Sequence, residues 1–200
     1  MVEKNNYSTA LSGAGFMMFE VKQLATLKLA GLTDKEMRAK VIDENIFQAN
    51  KISSVKRSLT YLIQRVNVLD ETLLEMIVEA DIQTAKVVNL YAIMKSDALF
   101  NEFMMEILQE KLKETGNTLD KKDVNLFFRH KAEQSDFIHQ LAESSANRLK
   151  SQFIRLLIEV GLTKSRNTGV LERIFIDEQV IDYLTKIGDK AYVQAMGVSE

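Results

Sequence analysis

Apolar positions along the chain recur at the three-and-four spacing of one helix face and almost nowhere alternate as a strand would. The clearest stripe is Val55, Leu59, Leu62, Ile63 and Val66, which predicts a helix with one buried and one polar face. Ser53 or Ser54 stands where a cap is needed. Ahead of it, a helix from about Gly13 to Leu29 follows the small-residue lead-in Ser12-Gly13-Ala14-Gly15, offers Phe16, Phe19, Leu24 and Leu27 for burial, and ends at Gly31. Thr33-Asp34-Lys35-Glu36 has the spacing at which the Thr hydroxyl and the Glu carboxylate each accept a free first-turn N–H. A second helix is therefore predicted from Asp34 to about Glu44.

Asp70 and Glu71 open a short acidic helix that ends near Glu79, their carboxylates set against the positive end of its dipole. Two core helices, Asp81 to Lys95 and Asp97 to Lys113, follow, then a loop at Thr115-Gly116-Asn117. Asp120 caps a helix carrying Val124, Phe127 and Phe128. A long helix is predicted from about Asp136 to Val160, with Ile138, Ala142, Leu149, Phe153, Leu156 and Val160 as its seam and Gly161 as its stop. Thr163 to Gly169 is a polar, basic loop, Val170 to Ile176 reads as a short strand, and Asp177 and Gly188 begin two small terminal helices. The fold class is all-α: a compact helical bundle of about eight to ten helices with a helix-turn-helix-like N-terminal lobe. The charge shift near Asp70 divides a three-helix lobe, residues 1–70, from a helical body, residues 71–200, and one continuous bundle fits the same pattern.

Composition sharpens this picture. In 200 residues there is no Pro and only 8 Gly, where ordinary usage would supply about ten and about fourteen; these are the residues that helices tolerate least. The absence of Cys removes disulfides, thiolate metal sites and a Cys nucleophile, and fits the cytoplasm. No apolar run suggests a membrane span. The 26 basic and 28 acidic residues give a net charge of −2, the wrong sign for a surface that attracts nucleic acid everywhere. Such binding would need a local patch.

Little in the chain supports catalysis. His130 and His139 lie in no metal-binding spacing. Gly13-Ala14-Gly15 lacks the preceding strand, the third Gly and the Lys of a phosphate loop, and no Gly-x-Ser-x-Gly elbow is present. Met17, Met18, Met94, Met104 and Met105 read as core filling rather than as an adaptable groove. No metal, cofactor or catalytic residue is expected.

The informative feature is an absence of acid. From Asn45 through Leu69 there is no Asp or Glu, while Lys51, Lys56, Arg57 and Arg65 are present. With Val55 at zero and steps of about 100° per residue, Lys56, Thr60, Gln64 and Arg57 fall between about 100° and about 200°, opposite the buried stripe. Together with Ser54, and with Lys51 and Arg65 flanking them, they form a candidate DNA-binding face, on a helix that follows Asp34 to Glu44 in the manner of a helix-turn-helix. The connection from Asn45 to Ser53 is longer than that motif's usual three or four residues. A solvated face that lacks acids by chance is the competing reading. A second acid-free interval, Ser144 to Ile158, adds Arg148 and Arg155 as candidates beside Ser151 and Gln152, with Lys164, Arg166 and Arg173 downstream. The run Asp70, Glu71, Glu75, Glu79 and Asp81 would repel a phosphate backbone and should face away from DNA or toward a basic protein.

Several short blocks, in order along the chain, point to a family: Leu11-Ser12-Gly13-Ala14-Gly15-Phe16, Asn45-Ile46-Phe47, Leu90-Tyr91-Ala92-Ile93-Met94-Lys95, Phe127-Phe128 with Lys131-Ala132-Glu133-Gln134-Ser135, and Leu156-Leu157-Ile158-Glu159-Val160-Gly161-Leu162. Over almost its whole length the sequence resembles the BrxA family of bacterial BREX phage-defence systems. The resemblance implies a small cytoplasmic all-helical protein with a NusB-like relation that binds double-stranded DNA without enzymatic activity. It implies companions that carry the chemistry: a methyltransferase, an ATPase, a phosphatase-like protein and a Lon-like factor. An RNA- or protein-binding adaptor is the alternative.

Overall fold

The computed structural model describes residues 7–113, 117–164 and 168–198. Among these, the chain forms α1 (Met18–Leu29), α2 (Asp34–Asp43), α3 (Ile52–Asn67), α4 (Glu71–Glu79), α5 (Ile82–Ser96), α6 (Ala98–Phe103), α7 (Gln109–Leu112), α8 (Lys121–Gln134), α9 (Asp136–His139), α10 (Glu143–Val160), α11 (Glu178–Lys186) and α12 (Lys190–Ala195). The only sheet among the described residues pairs β1 (Thr118–Asp120) with β2 (Thr168–Val170) antiparallel, Leu119 opposite Gly169. The all-α expectation stands.

Where boundaries moved, a named contact moved them. The first helix starts at Met18 rather than Gly13: its N-cap Met17 is left-handed at φ 47°, and the lead-in before it is held from outside, the Arg65 guanidinium donating to the Ala14 and Phe16 carbonyls at 2.8 and 3.0 Å. Asn89 donates to the Phe16 carbonyl as well, at 2.8 Å. Phe19, offered for burial, is exposed. Neither Ser53 nor Ser54 caps α3: Lys51 is the N-cap residue and its side chain makes no cap bond, so Ser54 lies inside the first turn. The rod from Asp97 changes pitch through a π-helical turn at Met104–Leu108. The long helix predicted from Asp136 is broken. A short α9 ends at His139, α10 begins only at Glu143, and Ala142, placed in the buried seam, is an exposed N-cap. The predicted strand from Val170 to Ile176 shrinks to β2 and a single bridge from Leu171 to Thr163.

At Asp70, Asp81, Gly31 and Gly161 the boundaries hold. Asp70 accepts the Leu73 N–H at 3.1 Å and Asp81 accepts the Gln83 and Thr84 N–H groups at 2.8 and 3.2 Å. Gly31 and Gly161 follow α1 and α10 with φ of 81° and 90°, a conformation in which a Cβ would crowd the following carbonyl.

α5 is the central element, buried from Val87 through Met94. α3, α4 and α10 pack against it, α1 lies over α3 and α4, and a single apolar core runs from Tyr7 to Met196. Rings from α6, α8 and α10 interlock within it: Phe100 meets Phe153 at 5.0 Å and Phe103 meets Phe127 at 5.3 Å, both edge to face. Met94 and Met104 are buried there, as core filling requires.

Candidate nucleic-acid interface

α2 and α3 build the face. The cap at Thr33 is reciprocal, with the Thr33 N–H donating to Glu36 Oε2 at 2.8 Å and the hydroxyl accepting the Glu36 N–H. The chain then turns through two left-handed residues, Asn45 and Gln48. The Asn45 amide clasps Ala49, accepting its N–H at 3.1 Å and donating to its carbonyl at 3.3 Å, which makes an ordered elbow of a connection too long for a short turn. α3 leaves that elbow with its apolar stripe inward: Val55, Leu59, Leu62, Ile63 and Val66 are all buried.

The opposite side carries Lys51, Ser54, Lys56, Arg57, Thr60 and Gln64, all exposed. Arg57 Nε donates to the Ser53 carbonyl at 3.4 Å, which leans the guanidinium along the helix. Arg38 comes from α2 to donate to Thr60 Oγ1 at 3.1 Å, adding a cation that the α3 sequence could not show. The capping box fixes the register of α2, but only the packing of α2 on α3 brings Arg38 to Thr60. The ion pairs among the described residues lie elsewhere, so Arg38, Lys51, Lys56 and Arg57 have no carboxylate within 4.0 Å. At the far end of α3 the patch stops. Asn67 accepts from Lys28 and donates to both oxygens of Asp34, at 3.1 and 2.9 Å.

Arg65 is a correction. It was expected on the outer face beside Lys56 and Arg57, but it is only 2% exposed and spends its two terminal nitrogens on the Ala14 and Phe16 carbonyls. Burial pulls its pKa down to about 10, against the attraction of Asp97 and Glu20, so it stays charged at neutral pH. A guanidinium in that position cannot reach a phosphate. Burial likewise pushes the Asp97 carboxyl up to about 6, although the Phe100 N–H and Arg65 both favour its charged form.

Arg148 and Arg155 on α10 are exposed, and Gln152 between them lies against the lead-in loop, where a Cβ on Gly15 would come within 3.4 Å of Gln152 Oε1. One turn of backbone, Ala14 to Phe16, is thus held by Arg65 of α3 and touched by Gln152 of α10. The two acid-free helices flank the same loop. The downstream cations do not extend this surface: Lys164 is matched by Glu172 at 2.8 Å, and Arg173 turns toward the carbonyls of Leu112 and Lys113 at 3.5 and 3.4 Å. Arg166 lies outside the described residues. On α4, Asp70, Glu71, Glu75, Glu79 and Asp81 are all exposed, and Asp70 Oδ2 also accepts the Tyr183 hydroxyl of α11 at 2.9 Å.

His130 and His139 are exposed on separate helices, and among the described residues no three His, Asp or Glu side chains gather as metal ligands. Nor is any described helix long and apolar enough to cross a membrane.

The BrxA family profile matches residues 5–188. The chain belongs to the BrxA family. A protein of Bacillus cereus (strain H3081.97), named BREX protein BrxA, is 32% identical over 197 residues, spanning 98% of each chain. A protein of the same name from Paramagnetospirillum magneticum is 22% identical and covers 96% of this chain and 97% of its own length. The crystal structure of an uncharacterized protein from Magnetospirillum magneticum superposes with a TM-score of 0.85 at 22% identity, over 96% of this chain and 99% of that one. That similarity shows that the two chains share the helical fold.

Proposed function

We propose that this BrxA-family chain is a non-enzymatic accessory component of a cytoplasmic BREX phage-defence system that binds double-stranded DNA, mainly through its phosphate backbone. The observation that carries the reading is the α3 face: Lys51, Lys56 and Arg57 exposed, joined by Arg38, and matched by no carboxylate. Cations left unneutralised by their own protein are the ones a polyanion can recruit, with release of its counterions. Ser54, Thr60 and Gln64 supply hydroxyl and amide groups on the same face, while Arg148 and Arg155 form a second tier across the lead-in loop. Few of these groups suit base reading, so the contacts position the protein more than they specify sequence. The acidic α4 face is left to a basic surface of a companion such as the methyltransferase, the ATPase or the phosphatase-like protein.

Salt titration tests this. Four to six phosphate contacts predict a log–log slope of roughly −4 to −5 on duplex DNA. Lys56→Glu with Arg57→Glu should weaken duplex binding about uniformly across sequences and make the slope shallower by about two. A flat salt response, unchanged affinity in the folded double variant, or a strong preference for single-stranded RNA would overturn the reading, the last in favour of an RNA adaptor.

A further inference from the structure

A cavity of about 430 Å³ opens between β1, the start of α8 and the middle of α10, away from α3 but sharing Arg155 with the second tier of the proposed DNA surface. Its volume falls in the range of small-ligand pockets, about 300–1,000 Å³. Three cations line it, Lys121, Lys150 and Arg155, against one acid, Asp120. None of the three has a carboxylate within 4.0 Å among the described residues. Lys150 is the best placed. Its ammonium donates to Asn125 Oδ1 at 2.9 Å and lies 5.4 Å from the centre of the Phe128 ring, two contacts that orient it at the cavity. Partial burial lowers its pKa, against a weak pull from Glu143, which is the strain expected of a desolvated cation lacking an anion. The apolar side of the cavity is Leu119, Val124 and Ile154.

From this lining we infer that the cavity is a binding site for a mononucleotide-sized phosphate monoester. Such a group carries close to two negative charges at neutral pH, which matches three cations less one acid. Its charge would sit at Lys150 and Arg155, away from Asp120, and the apolar wall would take the organic body. Asp120 adds to selectivity, because it opposes a second anionic group at the start of α8, where its own N–H already donates to Asp123 at 2.7 Å. The shared chemistry, a terminal phosphate on a nucleoside, has two sources: a free nucleotide and the 5′-phosphorylated end of a DNA strand.

Calorimetric titration with deoxythymidine monophosphate at low salt tests the site, with thymidine as the uncharged control. The nucleotide should bind saturably, thymidine at least about tenfold more weakly, and Lys150→Met should lose at least about tenfold in nucleotide affinity while circular dichroism shows an unchanged helical protein. Lys121→Met gives the same reading at an exposed position of the cavity rim. Competition of bound nucleotide by a blunt duplex carrying 5′ phosphates, but not by the same duplex without them, assigns the end as the source; competition by neither assigns the free nucleotide. No saturable heat, equal binding of thymidine, or unchanged nucleotide affinity in both variants overturns the inference. Duplex affinity is measured beside it. On a duplex without 5′ phosphates, Lys150→Met should keep full binding through the α3 face; if affinity for that duplex falls in parallel, the pocket is part of the duplex track and the inference fails.

Discussion

Lys56 and Arg57 on α3 and Lys131 on α8 are all cations on helices with one buried face, yet their surroundings differ completely. Lys131 is clamped between Glu102 and Glu106 of the preceding rod at 2.5 and 2.6 Å and lies 5.3 Å from the centre of the Phe127 ring, its side chain only 6% exposed. Burial alone would lower its pKa, but the two carboxylates outweigh burial and raise it. Lys56 and Arg57 have no such partners. A cation already neutralised inside the protein holds helices together, whereas an unneutralised one on a solvated face is available to a polyanion. Arg65 makes the division sharper, since it belongs to the same helix as Lys56 and falls on the structural side.

The largest effect should come from Arg65→Met. Removing the guanidinium strands the buried Ala14 carbonyl and leaves the Phe16 carbonyl with Asn89 alone, and should cost about 2–4 kcal/mol in urea unfolding, while the folded fraction keeps its duplex affinity. A loss of duplex binding by a fully folded Arg65→Met protein would break the comparison. Lys131→Met should cost about 1–2 kcal/mol, a modest figure because Glu106 is half exposed and solvent screens it. Stability unchanged in that variant would mean the clamp holds nothing.

Asp97 gives a pH test of the buried side. Its carboxyl is pushed from 3.8 up to about 6 in the folded protein. The folded state therefore holds this proton more tightly than the unfolded chain does, so the contribution is fully present below about 3.8 and is lost as pH rises through about 6. Asp97→Asn keeps an acceptor for the Phe100 N–H, faces the same Arg65, with Glu20 beyond it, and should flatten the stability profile across that window. A wild-type profile already flat there would sink the assignment. The smallest change in stability, within about 0.5 kcal/mol, is expected for Lys56→Glu with Arg57→Glu. Set beside its weakened duplex binding, it is the mirror image of Arg65→Met.

Much of this was legible before any coordinates. The capping residues Thr33, Asp70 and Asp81 start their helices where the chain pattern puts them, since a cap is a contact between residues two or three apart. The outward placement of Lys56, Arg57, Thr60 and Gln64 also followed from helical stepping. Arg65 was misplaced although the same stepping puts it at about 280°, outside the polar sector and about 60° from buried Leu62 at the edge of the stripe. The break before Glu143 had no cap to mark it, since Ala142 makes no side-chain bond to α10, and the five-residue delay in α1 had no local signal because Arg65 and Asn89 of other helices hold the lead-in.

Helix positions, and the face each helix turns outward, are properties of short stretches of chain, and there periodicity, caps and glycines were enough. Whether a cation is matched is not local. Lys131 meets carboxylates 25 and 29 residues back, Arg65 meets carbonyls 49 and 51 residues back, and Lys150 reaches an amide 25 residues back. Only the packing of α3, α8 and α10 around α5 decided which positive charges were used up within the molecule and which remained for a partner.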